Sequence, residues 1–422
     1  LASLDVGLLG SWPAIVLWLA AEISDLICQE KASRYPYSNC QVYLNTGFDS
    51  IFALQLRHSA RQTRALPHFE RTATMADRTL LTADQIRALR LENPKARARD
   101  FAHMHALTEA DLVAAHLGHG VTALDATPDA LMPWIAQMGD VMALTRNASC
   151  VHERIGTYTD YHAGPHAQMV LGAEIDLRIF PSHWVHAFAV QEISEDGVKR
   201  SIQVFDAAGD AVHKVHLKPA SDVAVFDRMV ADLRLAEQAD RLTLGPRAAV
   251  EGARADAGRA DVLRAEWDKM TDTHQFLKLV RKLKMNRLGA YRVAGAPHVR
   301  PLLPEAVTLA LRGAADAAIP VMIFVGNAGC IQIHGGPITK IVPMGPWINV
   351  MDPRFNLHLR ADHIAEVWCV TKPTKTGDAV SIEAFDAEGA LILQIFGYRK
   401  DTDPAAWDAL CASLPAQEEA MA

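Results

Sequence analysis

The chain has 422 residues, 50% of them hydrophobic and 22% charged, which suits a soluble globular protein of two or three domains. The net charge of −7 excludes an overall basic footprint for nucleic acid, so no nucleic-acid partner is expected. Six cysteines, at 28, 40, 150, 330, 369 and 411, contain no Cys-x-x-Cys pair. They fit neither a disulfide framework nor a zinc site, suit a reducing cytoplasm, and read as small buried apolar residues.

Residues 1–74 differ in texture from the rest. Leu8 to Ala21 is apolar, but Pro13 interrupts it and no basic residue precedes it. It is too short to span a bilayer comfortably and lacks the start of a signal peptide. The segment reads as a poorly ordered or upstream extension, with a membrane-surface segment as the alternative, and Met75 reads as the start of the compact protein. Helical periodicity then runs over 82–137, with capping starts at Thr82 and Thr108. From Val141 the texture becomes that of strands: Ile175 to Phe180, Trp184 to Gln191, and a hairpin of 201–205 and 211–217 around Asp206-Ala207-Ala208-Gly209. Helix returns at 221–239, and the polar stretch 245–260 reads as a linker. Helices are expected from Asp261 to Leu283 and Glu305 to Arg312. Strands follow at 321–325, 332–334, 347–351 and 363–371, with a last hairpin around Asp386-Ala387-Glu388-Gly389.

The two runs of strands match each other at a constant offset of 180 residues. Asn147-Ala148-Ser149-Cys150 returns as Asn327-Ala328-Gly329-Cys330, and Phe205-Asp206-Ala207-Ala208-Gly209 as Phe385-Asp386-Ala387-Glu388-Gly389. From Val141 to Lys218, about 18 of 78 positions are identical without a gap. That period is too long for a solenoid and marks two copies of a domain-sized unit, with a ligand cleft expected at their junction. The expected fold is α+β with an internal duplication, each half carrying N-terminal helices and a large antiparallel sheet, the cleft lying between sheet and helices. The halves are 75–244 and 261–415, joined by 245–260 and followed by a tail at 416–422.

Nucleotide-binding glycine loops, nucleophile elbows and His-Glu-x-x-His are absent from the sequence. His274 stands out instead. On one continuous helix it shares a face with Leu263, Trp267, Met270 and Leu277; if the helix restarts after Thr271, it falls in the first turn. Either way the imidazole is expected to point where apolar groups point, as a core histidine or as an axial ligand of haem iron. In the strand at 175–180, Asp176, Arg178 and Phe180 share one face. An arginine beside a phenylalanine there is either a solvated sheet face or a cap on a flat conjugated ligand. In the strand from Leu391, Gln394, Phe396 and Tyr398 share a face, with Arg399 following. Lys372 ends an earlier strand, and Arg287 follows the helix bearing His274. Each of these cations is a surface charge or, in company, part of a basic mouth for carboxylates.

Three separated segments carry a resemblance: Ile175 to His186, Asp272-Thr273-His274-Gln275-Phe276, and Phe355-Asn356-Leu357-His358-Leu359-Arg360. Together they resemble the HemS/ChuS/HmuS family of bacterial haem-uptake proteins, over about residues 78–415. The resemblance implies a cytoplasmic protein holding haem b as ligand or substrate beside two large antiparallel sheets. It implies His274 as the iron ligand, Arg178 as the catalytic or distal-side group and Phe180 as its aromatic neighbour. Arg287, Lys372, Gln394 and Arg399 fall where the family places propionate and pocket contacts; Phe396 and Tyr398 join them as haem-edge neighbours on the strand argument alone. It further implies delivery by an inner-membrane haem ABC importer and a downstream acceptor or reductase. Oxidative opening of the ring, pure carriage without turnover, and a haem-responsive regulatory role all stay open. Because Arg178 is matched by His358 and Tyr398 by Lys218, the copies divide the work, and one haem per chain is expected.

Overall fold

The computed structural model describes residues 81–195, 197–399 and 403–417; the readings of residues 1–74, Met75, Cys28 and Cys40 fall outside them. Local chemistry starts the first helices as expected. Thr82 caps α1 (Ala83–Glu92), and after α2 (Ala98–Met104) Thr108 caps α3 (Glu109–Ala114), each in a reciprocal capping box. The first half then supplies β1 (Val121–Leu124), α4 (Pro128–Ile135), β2 (Val141–Arg146), β3 (Cys150–Gly156), β4 (Tyr161–His162), β5 (Gln168–Leu171), β6 (Asp176–Ile179), β7 (His186–Ser194), β8 (Gly197–Phe205), β9 (Ala211–Leu217) and α5 (Val223–Leu233).

The stretch from 235 to 256 has neither helix nor strand. It is nonetheless docked, for the Asn286 side chain accepts from Arg254 N and donates to Gly252 O. The second half supplies α6 (Ala260–Trp267), α7 (Gln275–Lys282), α8 (Arg287–Ala294), β10 (Val299–Leu302), α9 (Ala306–Asp316), β11 (Val321–Gly326), β12 (Cys330–Gly336), β13 (Ile341–Met344), β14 (Trp347–Met351), β15 (Phe355–Arg360), β16 (Glu366–Lys372), β17 (Ala379–Phe385), β18 (Leu391–Gly397) and α10 (Ala405–Ser413).

These strands form two nine-stranded sheets, and every ladder is antiparallel. Sheet A runs β1-β7-β8-β9-β2-β3-β15-β14-β13 and sheet B runs β10-β16-β17-β18-β11-β12-β6-β5-β4. Each half therefore keeps six strands and lends three to its partner. The two junctions are equivalent: Cys150 stands opposite Leu359, and Cys330 opposite Ile179. The α+β class, the duplication and the two large sheets are as expected; the exchange of strands is an addition to them.

Both repeated signatures have physical work at these places. Asn147 Oδ1 accepts from the N–H groups of Ser149 and Cys150, while its Nδ2 donates to Gly326 O and Ile392 O in the other half. Asn327 does the same in reverse, donating to Arg146 O and Val212 O. In the hairpins, Asp206 and Asp386 each accept two backbone N–H groups, and Gly209 and Gly389 adopt φ of +82° and +92° that only glycine takes easily.

Alternation along the strands decides the layers. The back face of sheet B, through Val321, Ile323, Val325, Ile382 and Ile395, packs on α9, α10 and the Leu357 and Leu359 side chains lent to sheet A. The back face of sheet A does the same with α4, α5 and the borrowed Leu177 and Ile179 side chains of sheet B. On the front of sheet B, α6, α7 and α8 bury Leu263, Trp267, Phe276 and Tyr291 against Val299, Val370 and Phe385. Among the described residues all four cysteines are free and buried.

Histidines are sealed inside as well. His213 bridges Tyr158 Oη (2.6 Å) and Thr145 Oγ1 (2.8 Å), and burial pushes its pKa down to about 3. Phe355 stacks on His334 (3.9 Å between centroids) and tilts against His152 (4.9 Å). Burial lowers His334 to about 4 and His152 well below the usual range, with Arg154 adding to both. Neither ring nitrogen of His152 has a hydrogen-bond partner among the described residues.

Candidate functional site

The register of sheet B gathers most of the singled-out residues onto its front face. Directly opposed residues in an antiparallel ladder share a face. Arg178 stands opposite Ile331 and Met169; Asp176 opposite Ile333; Phe324 opposite Ile333 and Gln394; Met322 opposite Phe396. Gln394 in turn stands opposite Glu383, and Phe396 opposite Ser381. The strip thus crosses β5, β6, β12, β11, β18 and β17. Lending β6 to sheet B is what puts Arg178 beside the second half.

Arg178, Phe180, Ile331, Met322, Phe324, Gln394, Phe396 and Tyr398 are all half-buried. That leaves a strip with an apolar floor and polar ends outside the cover of α6 to α8. Phe324 and Phe396 meet edge to face at 5.3 Å. Tyr398 lies so close over Gly335 that a Cβ there would sit 3.1 Å from the ring.

Arg178 forms an ion pair with Asp176 and donates to Leu177 O (3.1 Å). Its Nε and Nη2 carry no hydrogen bond among the described residues. Burial raises the Asp176 carboxyl, and Arg178 opposes that. Phe180 follows β6, its N–H held by Gly329 O (3.0 Å).

His274 corrects an expectation. The helix does restart: α6 stops at Trp267, and His274 is the residue before α7. The restart changes the phase, so Phe276, Leu279 and Val280 turn inward and the His274 side chain is 90% exposed. Leu277, expected on a shared apolar face, is 41% exposed too, while Leu263, Trp267 and Met270 are buried. The imidazole is fixed from behind. Asp272 Oδ1 accepts from His274 N (2.8 Å) and from Nδ1 (2.6 Å), which leaves Nε2 directed outward.

The basic residues divide. Lys372 is 2% exposed and donates to Glu383 Oε1 (2.7 Å) and Tyr291 Oη (3.1 Å), beneath the ring of Phe276 at 5.0 Å. Arg287 Nη1 donates to Glu383 Oε2 (2.8 Å) and Tyr291 Oη (3.4 Å). Tyr291 Oη and Ser381 Oγ also donate to Glu383, both at 2.9 Å. Burial alone would raise the Glu383 carboxyl, but Lys372 and Arg287 hold it down to about 2. Burial pushes the Lys372 ammonium below its usual range, partly offset by Glu383. Arg399 lies elsewhere, donating to Thr376 O (2.6 Å) and Gly377 O (3.2 Å) of the β16–β17 loop.

Glu383, Tyr291 and Asp272 were not singled out from the sequence. The Asp-x-His spacing at 272–274 was a readable signal for the third. The first two needed the fold, because only the pairing of β16 with β17 sets Glu383 beside Lys372.

The chain matches the profile of the haemin-degrading HemS/ChuX domain twice, over residues 106–233 and 284–414. It is 37% identical over 314 residues to the hemin transport protein HmuS of Yersinia pestis, covering 74% of this chain and 90% of that one. Among solved structures it is similar to holo-PhuS, a heme-binding protein from Pseudomonas aeruginosa, at 41% identity and a TM-score of 0.75, over 79% of this chain and 98% of that one. It is also similar to ChuS, described as an E. coli heme oxygenase, at 33% identity and a TM-score of 0.70, over 77% and 98%. Among the described residues no helix is long and apolar enough to cross a membrane.

Proposed function

The chain belongs to the HemS/ChuX family, and from that premise we propose that it binds one haem b per chain on the front face of sheet B and carries it through the cytoplasm. The observation that carries this reading is the strip itself: Arg178 and Phe180 from one half share a face with Gln394, Phe396 and Tyr398 from the other. The residues suit a porphyrin. Met322, Phe324, Ile331 and Phe396 offer an apolar floor, and His274 offers an Nε2 that Asp272 keeps directed outward.

Arg287, with no hydrogen bond at Nε or Nη2 among the described residues, supplies the cationic edge for a propionate; Arg399, held to the β16–β17 loop, adds a second cation, while Lys372 stays paired with Glu383 beneath. Haem would arrive from an inner-membrane ABC importer and leave to an acceptor. A second reading, oxidative opening of the ring with a reductase, is favoured by the Nε and Nη2 of Arg178, which carry no hydrogen bond among the described residues and could stabilise negative charge developing beside them. In either case the bound haem supplies the redox iron, and the protein supplies orientation and electrostatics.

Titration with haemin tests the binding. A sharpened Soret band saturating at one haemin per chain is expected, with altered spectrum and weaker binding in His274→Ala; an unchanged spectrum and affinity in that variant would overturn the ligand assignment. Turnover is tested with a reductant and oxygen in the presence of catalase, which removes free peroxide. Loss of the Soret band with release of iron and a defined tetrapyrrole supports degradation, and an intact spectrum over hours supports carriage alone.

A further inference from the structure

Among the described residues, Glu383 is the charged carboxylate most completely enclosed, with no exposed surface. It accepts four hydrogen bonds at 2.7 to 2.9 Å, from Lys372, Arg287, Tyr291 and Ser381. At the equivalent positions of the first half stand Gln203, Ser201 and Glu192, for Glu383, Ser381 and Lys372. There the amide of Gln203 donates to Ser201 Oγ (3.1 Å), and the position of Lys372 carries the opposite charge. The charged cluster therefore belongs to the half whose front face carries the aromatic strip. The first half also buries a carboxylate between two cations on the equivalent face, Glu109 with Lys214 (2.7 Å) and Arg146 (3.8 Å), but that carboxylate comes from α3, so a charged residue within the strand at the position of Gln203 is not needed to build the sheet.

The geometry shows what the cluster does. The ammonium of Lys372 is enclosed by Glu383, by Tyr291 and by the Phe276 ring, so it has no donor to give a ligand. Lys372 and Glu383 cancel, which leaves one net positive charge, and it resides on Arg287. Among the described residues that guanidinium is pinned through Nη1 alone, with no hydrogen bond at Nε or Nη2, and its side chain retains 21% exposure. A guanidinium held at one corner presents its remaining N–H groups in a fixed direction, the geometry that suits a carboxylate.

We infer that Glu383 is a positioning residue: it aims Arg287 so that one carboxylate of the ligand on the front face of sheet B is recognised there. The inference rests on the haem reading above and specifies it. One of the two propionates is held by Arg287, the second is not held by Lys372, and Glu383 sets the preference for the free acid.

The test compares haemin with its dimethyl ester, in which both propionates are neutral, by Soret titration of wild type, Arg287→Met and the double variant Glu383→Gln with Lys372→Met, which keeps the single net positive charge on Arg287 and removes both buried charges together. Wild type is expected to prefer the free acid. The double variant is expected to lose about tenfold of that preference, the scale of one charge-assisted hydrogen bond, with the ester bound as before. Arg287→Met is expected to lose at least as much. A preference unchanged in the double variant, or an equal loss for both ligands, overturns the inference and leaves Glu383 with a role in folding only. Should the double variant fail to fold, Glu383→Asp, which keeps the charge and withdraws the carboxylate from Arg287, carries the same measurement. If wild type binds neither porphyrin, it is the haem reading that fails, and the two failures are distinguishable.

Discussion

Replacing His152 with leucine is expected to flatten the acid side of the stability curve. His152 is fully buried against Phe355, neither ring nitrogen has a partner among the described residues, and burial holds its pKa well below the ordinary 6.5. A histidine lowered in this way stays neutral in the folded protein while the unfolded chain takes up a proton below pH 6.5. Its contribution is thus present above pH 6.5 and is lost as the pH falls toward the folded value. At pH 5 each such residue costs about 2 kcal/mol, from about 1.4 kcal/mol per pH unit below the unfolded pKa. His213, pushed down to about 3, and His334, pushed down to about 4, behave alike. The three together remove about 6 kcal/mol between pH 7.5 and 5, a large part of an ordinary folding free energy. Glu383, held at about 2, adds its loss only below about pH 4.5, so the upper window belongs to the histidines. Urea unfolding at pH 7.5, 6.5, 5.5 and 5.0 reads this directly. His152→Leu should lose about 2 kcal/mol less than wild type across that range. Parallel curves for the two proteins would refute the reasoning, since they would mean that the ring is protonated or hydrated in the folded state.

The asparagine clamps and the histidine support give two more expectations. Asn147→Ala and Asn327→Ala each remove a turn cap and two hydrogen bonds across the halves. Each should cost about 2–3 kcal/mol, and similar amounts, in thermal or urea unfolding. Asp272→Asn keeps the shape of the support but weakens its grip on His274 Nδ1. A severalfold loss of haemin affinity with a shifted Soret band is expected, while urea unfolding without haemin stays near that of wild type; an unchanged spectrum would show that Asp272 does not orient the ring.

Much of the scaffold was legible because its signals are local. Thr82 and Thr108 cap helices as their spacing demands, and the Asp-Ala-x-Gly turns close both hairpins. The strip on sheet B was half legible: alternation puts Arg178 with Phe180, and Gln394 with Phe396, but nothing local says that the two pairs share a sheet. The 180-residue repeat even hides it. Equivalent strands present equivalent edges, so β6 could pair with β3 of its own half in the same register as with β12. The exposure of His274 was unreadable for a different reason. Its phase depends on where the helix breaks between Trp267 and Gln275, and a shift of two residues carries a side chain to the opposite face.

The lent strands also decide what the two halves can be apart from each other. A chain severed anywhere between 235 and 256 would still hold two pieces clasped through the β3–β15 and β6–β12 ladders and the asparagines beside them. Either half alone would expose one sheet edge at β3 or β12 and carry three homeless strands. The available remedy would be a second copy of itself, exchanging the same strands in the same register. The tandem chain is in that sense a closed dimer written on one polypeptide. Its covalent join frees the copies to diverge, with Glu383 in one and Gln203 in the other, and binds them to remain together.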